Sequence, residues 1–124
     1  LSLDELQREI EARQANVQLQ PPAWQFFLLA AYAHYPPPAL TPQELLAEQA
    51  ALREIAPMSA GVTRALRRAL ILYHPDKNMS SAHGDEWPAA AGQLSRMATN
   101  LREYYRARIR LASTDVLAEE TADS

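Results

Sequence analysis

The sequence predicts an all-α domain. Three observations carry that expectation: apolar residues recur at helical spacing, no apolar–polar alternation runs far enough for a strand, and only 3 glycines occur in 124 residues. Prolines and capping residues then divide the chain into five helices. The length suits one compact domain, and 48% hydrophobic content is enough for a packed core.

Ser2 starts the first helix, with Glu5 three residues on completing a capping box. Leu3, Leu6, Ile10 and Val17 form its apolar stripe. Pro21 and Pro22 break the chain, and "AWQFFLLAAYAHY" follows as a second helix to Tyr35. That helix is apolar nearly all round, which predicts burial or a clasping partner. Trp24 and Phe27 are therefore read as core residues or, alternatively, as an exposed docking patch. Pro36, Pro37 and Pro38 end the segment.

Thr41, Pro42 and Glu44 mark the third helix with an N-cap, a first-turn proline and a capping-box acid. It runs through Leu45, Leu52 and Ile55 to a stop near Pro57. Ser59 is the expected cap of a fourth helix over 60–73, and a loop of about a dozen residues follows. Asp85 is the expected cap of a fifth helix reaching about residue 111. Residues 113–124 lack periodicity and are acidic, so they read as a mobile tail.

Cysteine is absent, which removes disulfides, thiolate zinc sites and a cysteine nucleophile. The longest apolar run, "FFLLAAYA", is far short of the roughly 20 residues a membrane helix needs. No basic region precedes it, so it does not read as a signal peptide, and the expected location is cytoplasmic. The net charge of −3 is unevenly spread. Residues 1–58 carry three basic and seven acidic side chains (−4), residues 59–112 nine and four (+5), and residues 113–124 none and four (−4). An electrostatic partner is therefore sought on the basic middle.

That middle contains the most informative stretch. On a helix over 60–73, Val62, Ala65, Leu66, Ala69 and Tyr73 share one face, while Arg64, Arg67 and Arg68 lie opposite with Ile71 among them. Three arginines alone are an ordinary solvated face. Directly after them comes "YHPDKN". Pro75 cannot continue the helix and pushes His74 out of the helical region, so imidazole and carboxylate are held at a stiff corner.

"VTRALRRALILYHPDKN" resembles the second helix and following loop of a J domain, the module of DnaJ-type co-chaperones. The resemblance covers about 60–105, and it places Leu94, Met97, Leu101 and Tyr104 where the family's third helix has core residues. It implies an antiparallel helical hairpin with His74, Pro75 and Asp76 at its tip, followed by Lys77. It also implies a DnaK-type chaperone ATPase as partner, with ATP hydrolysed on that partner and not on this chain. Arg64, Arg67 and Arg68 match basic positions that meet an acidic chaperone surface, and Asp76 would pair with a chaperone arginine.

The chain departs from the family in several respects. The tyrosine-rich first helix is missing, and "PQELLAEQAALREI" is taken to replace it. A "QKR" fourth helix, a glycine/phenylalanine-rich region and zinc-binding cysteines are absent. Auxilin-like proteins, which extend the J domain on its N-terminal side, are the architectural analogy. The implied organisation is an N-terminal helical extension over 1–40, a J-like domain over 41–112 and an acidic tail over 113–124. The extension would choose the client or assembly. The alternative is a structural J-like subunit of a large complex.

Other constellations carry less. His34, His74 and His83 lack metal-ligand spacing, so no metal or cofactor is expected. No serine nucleophile accompanies His74 and Asp76, and an enzyme is not expected. Arg102, Arg106 and Arg110 recur every four residues beside Tyr104 and Tyr105. This row is read as a solvated face in preference to a phosphate track.

Overall fold

The computed structural model describes residues 1–80 and 83–122, with side chains through residue 112. Its order is α1 (Leu3–Ala15), α2 (Ala23–His34), α3 (Pro42–Arg53), α4 (Ala60–Leu72), a 3-10 turn (Pro75–Lys77) and α5 (Trp87–Ala122). The described residues are helical with no strand, as the periodicity predicts.

The central element is α2, which touches α1, α3, α4 and α5. Its all-round apolarity has that cause: with four neighbouring helices, only Ala33 and His34 at its end are exposed. Ala23, Trp24, Phe27, Leu28, Ala31 and Tyr32 are buried. Burial of each large side chain contributes on the order of 1.5–3 kcal/mol. Leu6 and Ile10 of α1 pack into the same core.

Two ends of α1 differ from the sequence expectation. The Ser2 hydroxyl accepts the Glu5 N–H at 3.1 Å, but the return half of the capping box is not made among the described residues. The helix stops at Ala15 with Asn16 as C-cap, which leaves Val17 outside the stripe and 63% exposed.

The helix α3 begins as predicted. Thr41 and Glu44 exchange both bonds of a capping box, at 3.0 and 3.1 Å. The Thr41 N–H, donating to the Glu44 carboxylate, is the main cause that holds this carboxyl below its ordinary range, and the Thr41 side chain adds to it. The helix ends at Arg53, short of Pro57, and only Leu52 is buried. Its end rests on α2, where the Gln25 amide donates to the Leu52 carbonyl at 3.3 Å.

The helices α4 and α5 form an antiparallel hairpin. Asn78, just past α4, bonds Trp87 at the start of α5, while Met58, just before α4, lines one cavity with Tyr104 and Tyr105. Val62, Leu66, Ala69, Leu72 and Tyr73 face Ala91, Leu94, Ala98, Leu101 and Tyr105. The stripe on α5 is thus rotated from the expected one: Leu94 and Leu101 hold their places, but Ala98 and Tyr105 are buried where Met97 and Tyr104 are only partly so.

The helix boundaries also differ. Ser59 does not cap α4 with its side chain, because the hydroxyl donates backwards to the Ala56 carbonyl at 2.9 Å. The helix α5 starts two residues after Asp85 and continues to Ala122, through the stretch expected to be aperiodic. The mobility expected of 113–124 concerns side chains, and two terminal residues, that lie outside those described.

One core joins Leu6 to Tyr105 without a break at residue 40. The helix packed on the hairpin is α2, with α3 beside it. The apolar α2, with α1 beside it on α5, therefore covers the hairpin more than "PQELLAEQAALREI" does, of which only Leu52 is buried. Leu6, Ile10, Trp24 and Phe27, all within residues 1–40, belong to that core. Among the described residues no helix is long and apolar enough to cross a membrane.

Candidate functional site

The helix α4 delivers two faces to one end of the hairpin. Its buried face is fixed by the core, so the opposite face must be exposed. Arg64, Arg67, Arg68 and Ile71 fall within an arc of about 100°, and all four are exposed. Arg68 is already engaged: its Nε lies 2.6 Å from Glu48 Oε1 on α3, with the carboxylate side chain 23% exposed. Among the described residues, Arg64 and Arg67 have no acidic partner. The sequence treats the three arginines alike, and the fold does not.

Tyr73 closes α4, and the chain turns at His74. Pro75 excludes the helical region for the residue before it, and His74 accordingly has φ −56° and ψ 135°. A single 3-10 turn follows, with the Lys77 N–H on the His74 carbonyl at 3.0 Å and the Asn78 N–H on the Pro75 carbonyl at 3.1 Å. His74 Nδ1 accepts the Asp76 backbone N–H at 3.2 Å, so the neutral ring carries its proton on Nε2. Asp76 Oδ2 stands 3.8 Å from the same Nδ1, beyond hydrogen-bond length. An ion pair there requires a protonated ring and the loss of the backbone bond, so the two contacts are alternatives. The His74 and Asp76 side chains are 48% and 86% exposed, and Pro75 and Lys77 are exposed as well. The corner therefore presents a ring, a carboxylate and an ammonium to solvent from a backbone with little freedom.

What stiffens the corner lies beneath it. Asn78 is buried, and its amide nitrogen donates to the Leu72 carbonyl at 3.0 Å and to the His74 carbonyl at 2.8 Å. Its oxygen accepts the Trp87 indole N–H at 3.1 Å. One side chain thus caps the end of α4, holds the first residue of the turn and ties both to α5. Tyr73, fully buried, donates its hydroxyl to the Tyr35 carbonyl at 2.6 Å. Its ring lies 6.2 Å from both Tyr32 and Trp87. Burial raises the phenol pKa of Tyr73 far above its usual value, and Tyr32 adds to the rise. Asn78 stands in the quoted motif, but its anchoring role and its partner Trp87 were not legible there. An asparagine right after a helix stop was the available signal.

The remaining candidates separate. Trp24 and Phe27 are 1% and 0% exposed, so the docking-patch reading is overturned: the aromatics of α2 are used up by its neighbours. His34 and His83 share a groove with Pro36, Pro37, Pro38 and Trp87, and His74 is not part of it. Among the described residues no three His, Cys, Asp or Glu side chains gather as a metal site. The arginine row on α5 is uneven. Arg102 is half-buried with its Nε lacking a partner, while Arg106 and Arg110 border a shallow groove with Glu103. No family model, curated protein or solved structure matches the chain.

Proposed function

We propose that this chain is a J-domain-type co-chaperone that stimulates ATP hydrolysis by a DnaK-type chaperone and brings it to a particular client or assembly. The observation that supports this most is the exposed His74-Pro75-Asp76 corner at the hairpin tip, pinned from below by Asn78 and carried on the helix that exposes Arg64 and Arg67. A stiff corner loses little conformational entropy when it docks, and an unpaired basic stripe beside it attracts an acidic surface. In this reading Asp76 pairs with an arginine of the chaperone, and Arg64, Arg67 and Lys77 supply the surrounding charge. Arg68 contributes only when it leaves Glu48.

A second reading, a structural J-like subunit of a larger complex, draws on that Arg68–Glu48 pair, which turns one of the three cations inward. Binding separates the two. Surface-immobilised protein should capture an ATP-bound DnaK-type chaperone, and Asp76→Asn should abolish capture without altering the circular dichroism spectrum. Equal capture by the variant would leave the scaffold reading standing.

A further inference from the structure

At the opposite end of the bundle from the His74 turn lies a cavity of about 320 Å³, at the small end of ligand pockets. Pro22, Ala23, Tyr104 and Tyr105 form much of its wall, with Val17 and Met58 reaching in from two connections. Val17 and Met58 are 63% and 47% exposed, so large apolar side chains stand in water beside a preformed hollow. The Tyr105 hydroxyl already accepts the Trp24 backbone N–H at 3.3 Å. The floor therefore offers mainly aromatic surface.

The lining is one-signed. Arg13 and Arg108 border the cavity and, among the described residues, no carboxylate does. Arg13 is committed elsewhere: it pairs with Glu9, donates to the Pro21 carbonyl at 3.0 Å and lies over the Phe26 ring. Arg108 lies 4.4 Å over the Tyr104 ring and, among the described residues, has no acidic partner. A guanidinium stacked on an aromatic ring beside an apolar hollow complements a large apolar group with a carboxylate next to it. The exposed Val17 and Met58 extend the apolar surface past the hollow, which suits a chain that continues beyond its anchor.

We propose that this cavity docks an acidic peptide, which inserts one aromatic side chain against Tyr104, Tyr105 and Met58 and sets a neighbouring carboxylate on Arg108. The inference deepens the co-chaperone reading and rests on it: the peptide is the client segment, and this cavity takes the docking role that Trp24 and Phe27 cannot fill. Trp87 and Tyr105 are eighteen residues apart on α5, about 27 Å at helical rise. Client and chaperone therefore occupy opposite ends of one rigid hairpin and do not compete.

The test is fluorescence anisotropy of a dye-labelled, end-blocked peptide Gly-Asp-Glu-Phe-Asp-Glu-Gly with the full chain and no chaperone. Binding should weaken as salt rises, and should fall about tenfold with Arg108→Glu or with alanine in place of the peptide's phenylalanine. Met58→Glu, at an exposed position, should weaken it independently, and His74→Gln should leave it unchanged. No binding overturns the proposal. So does equal binding of a lysine-for-acid peptide, indifference to Arg108→Glu, or phenylacetate binding as tightly as the peptide. The chaperone is absent from the assay, so failure here is distinct from failure of the co-chaperone reading, which an ATPase measurement reads separately.

Discussion

The Trp87 indole N–H donates to the Asn78 side-chain oxygen at 3.1 Å, and through that bond the start of α5 grips the turn that ends α4. The same asparagine donates to the carbonyls of Leu72 and His74. Replacing Asn78 with alanine takes the partner from the Leu72 carbonyl and the Trp87 indole, while the His74 carbonyl keeps the Lys77 N–H. Leaving a buried polar group unpaired costs about 1–3 kcal/mol. Asn78→Ala should lower the urea midpoint accordingly. Trp87→Phe, which keeps an aromatic ring against Tyr73, should cost less. An Asn78→Ala variant as stable as the parent would show that the turn is not held in this way.

The core gives a second prediction. Phe27 is fully buried on the central helix, and Phe→Ala in a core costs about 3–5 kcal/mol. Phe27→Ala should lose most cooperative unfolding. A chain cut to residues 59–112, which lacks α2 altogether, should not fold cooperatively. Calorimetry reads both, and a sharp transition in the short chain would contradict the single core.

The buried tyrosines set an alkaline limit. Burial raises the phenols of Tyr73, Tyr32 and Tyr105, with Glu48 adding at Tyr32 and the Trp24 backbone N–H opposing at Tyr105. In the unfolded chain they ionise at about pH 10. Above that pH the unfolded state has lost protons that the folded state keeps. Their contribution is therefore fully present below about pH 10 and is lost as pH rises further. Chemical denaturation followed across that range should give falling midpoints on the alkaline side, with tyrosinate absorbance of the buried rings appearing only on unfolding. An unchanged midpoint well above pH 10 would contradict the burial of these hydroxyls.

The ion pair across α3 and α4 yields a prediction with opposite effects on stability and on association. The Arg68 side chain is 50% exposed, and a pair of that kind is worth about 0–1 kcal/mol. Glu48→Gln should barely change thermal stability, yet it frees Arg68 to join Arg64 and Arg67. Association with an acidic chaperone surface should then quicken, and the gain should vanish at high salt. Stopped-flow mixing measures this directly, and a rate that fails to rise would mean that Arg68 plays no part in steering.

Much of the fold was legible because it depends on local chemistry. The Thr41–Glu44 box, the stop at Pro75 and the α4 face from Val62 to Tyr73 all follow from residue type and spacing. What the sequence did not yield depends on distant partners. Nothing near Arg68 announces Glu48, and Asn78 acquires its role only when Trp87 arrives nine residues later. The excess apolarity of α2 was visible, but a buried central helix and an exposed docking face have the same sequence signature. Ser59 illustrates a local ambiguity, since its hydroxyl chose the Ala56 carbonyl over the helix it precedes.

Single-turnover ATP hydrolysis on a DnaK-type chaperone, with this chain and with its His74→Gln variant compared at equal concentration, reads the proposed activity itself. His74 is an exposed loop residue, and such substitutions usually change stability by less than about 0.5 kcal/mol. The unaltered chain should accelerate hydrolysis, and the variant, equally well folded, should not. Equal acceleration by both, or none by the unaltered chain, would contradict the co-chaperone reading.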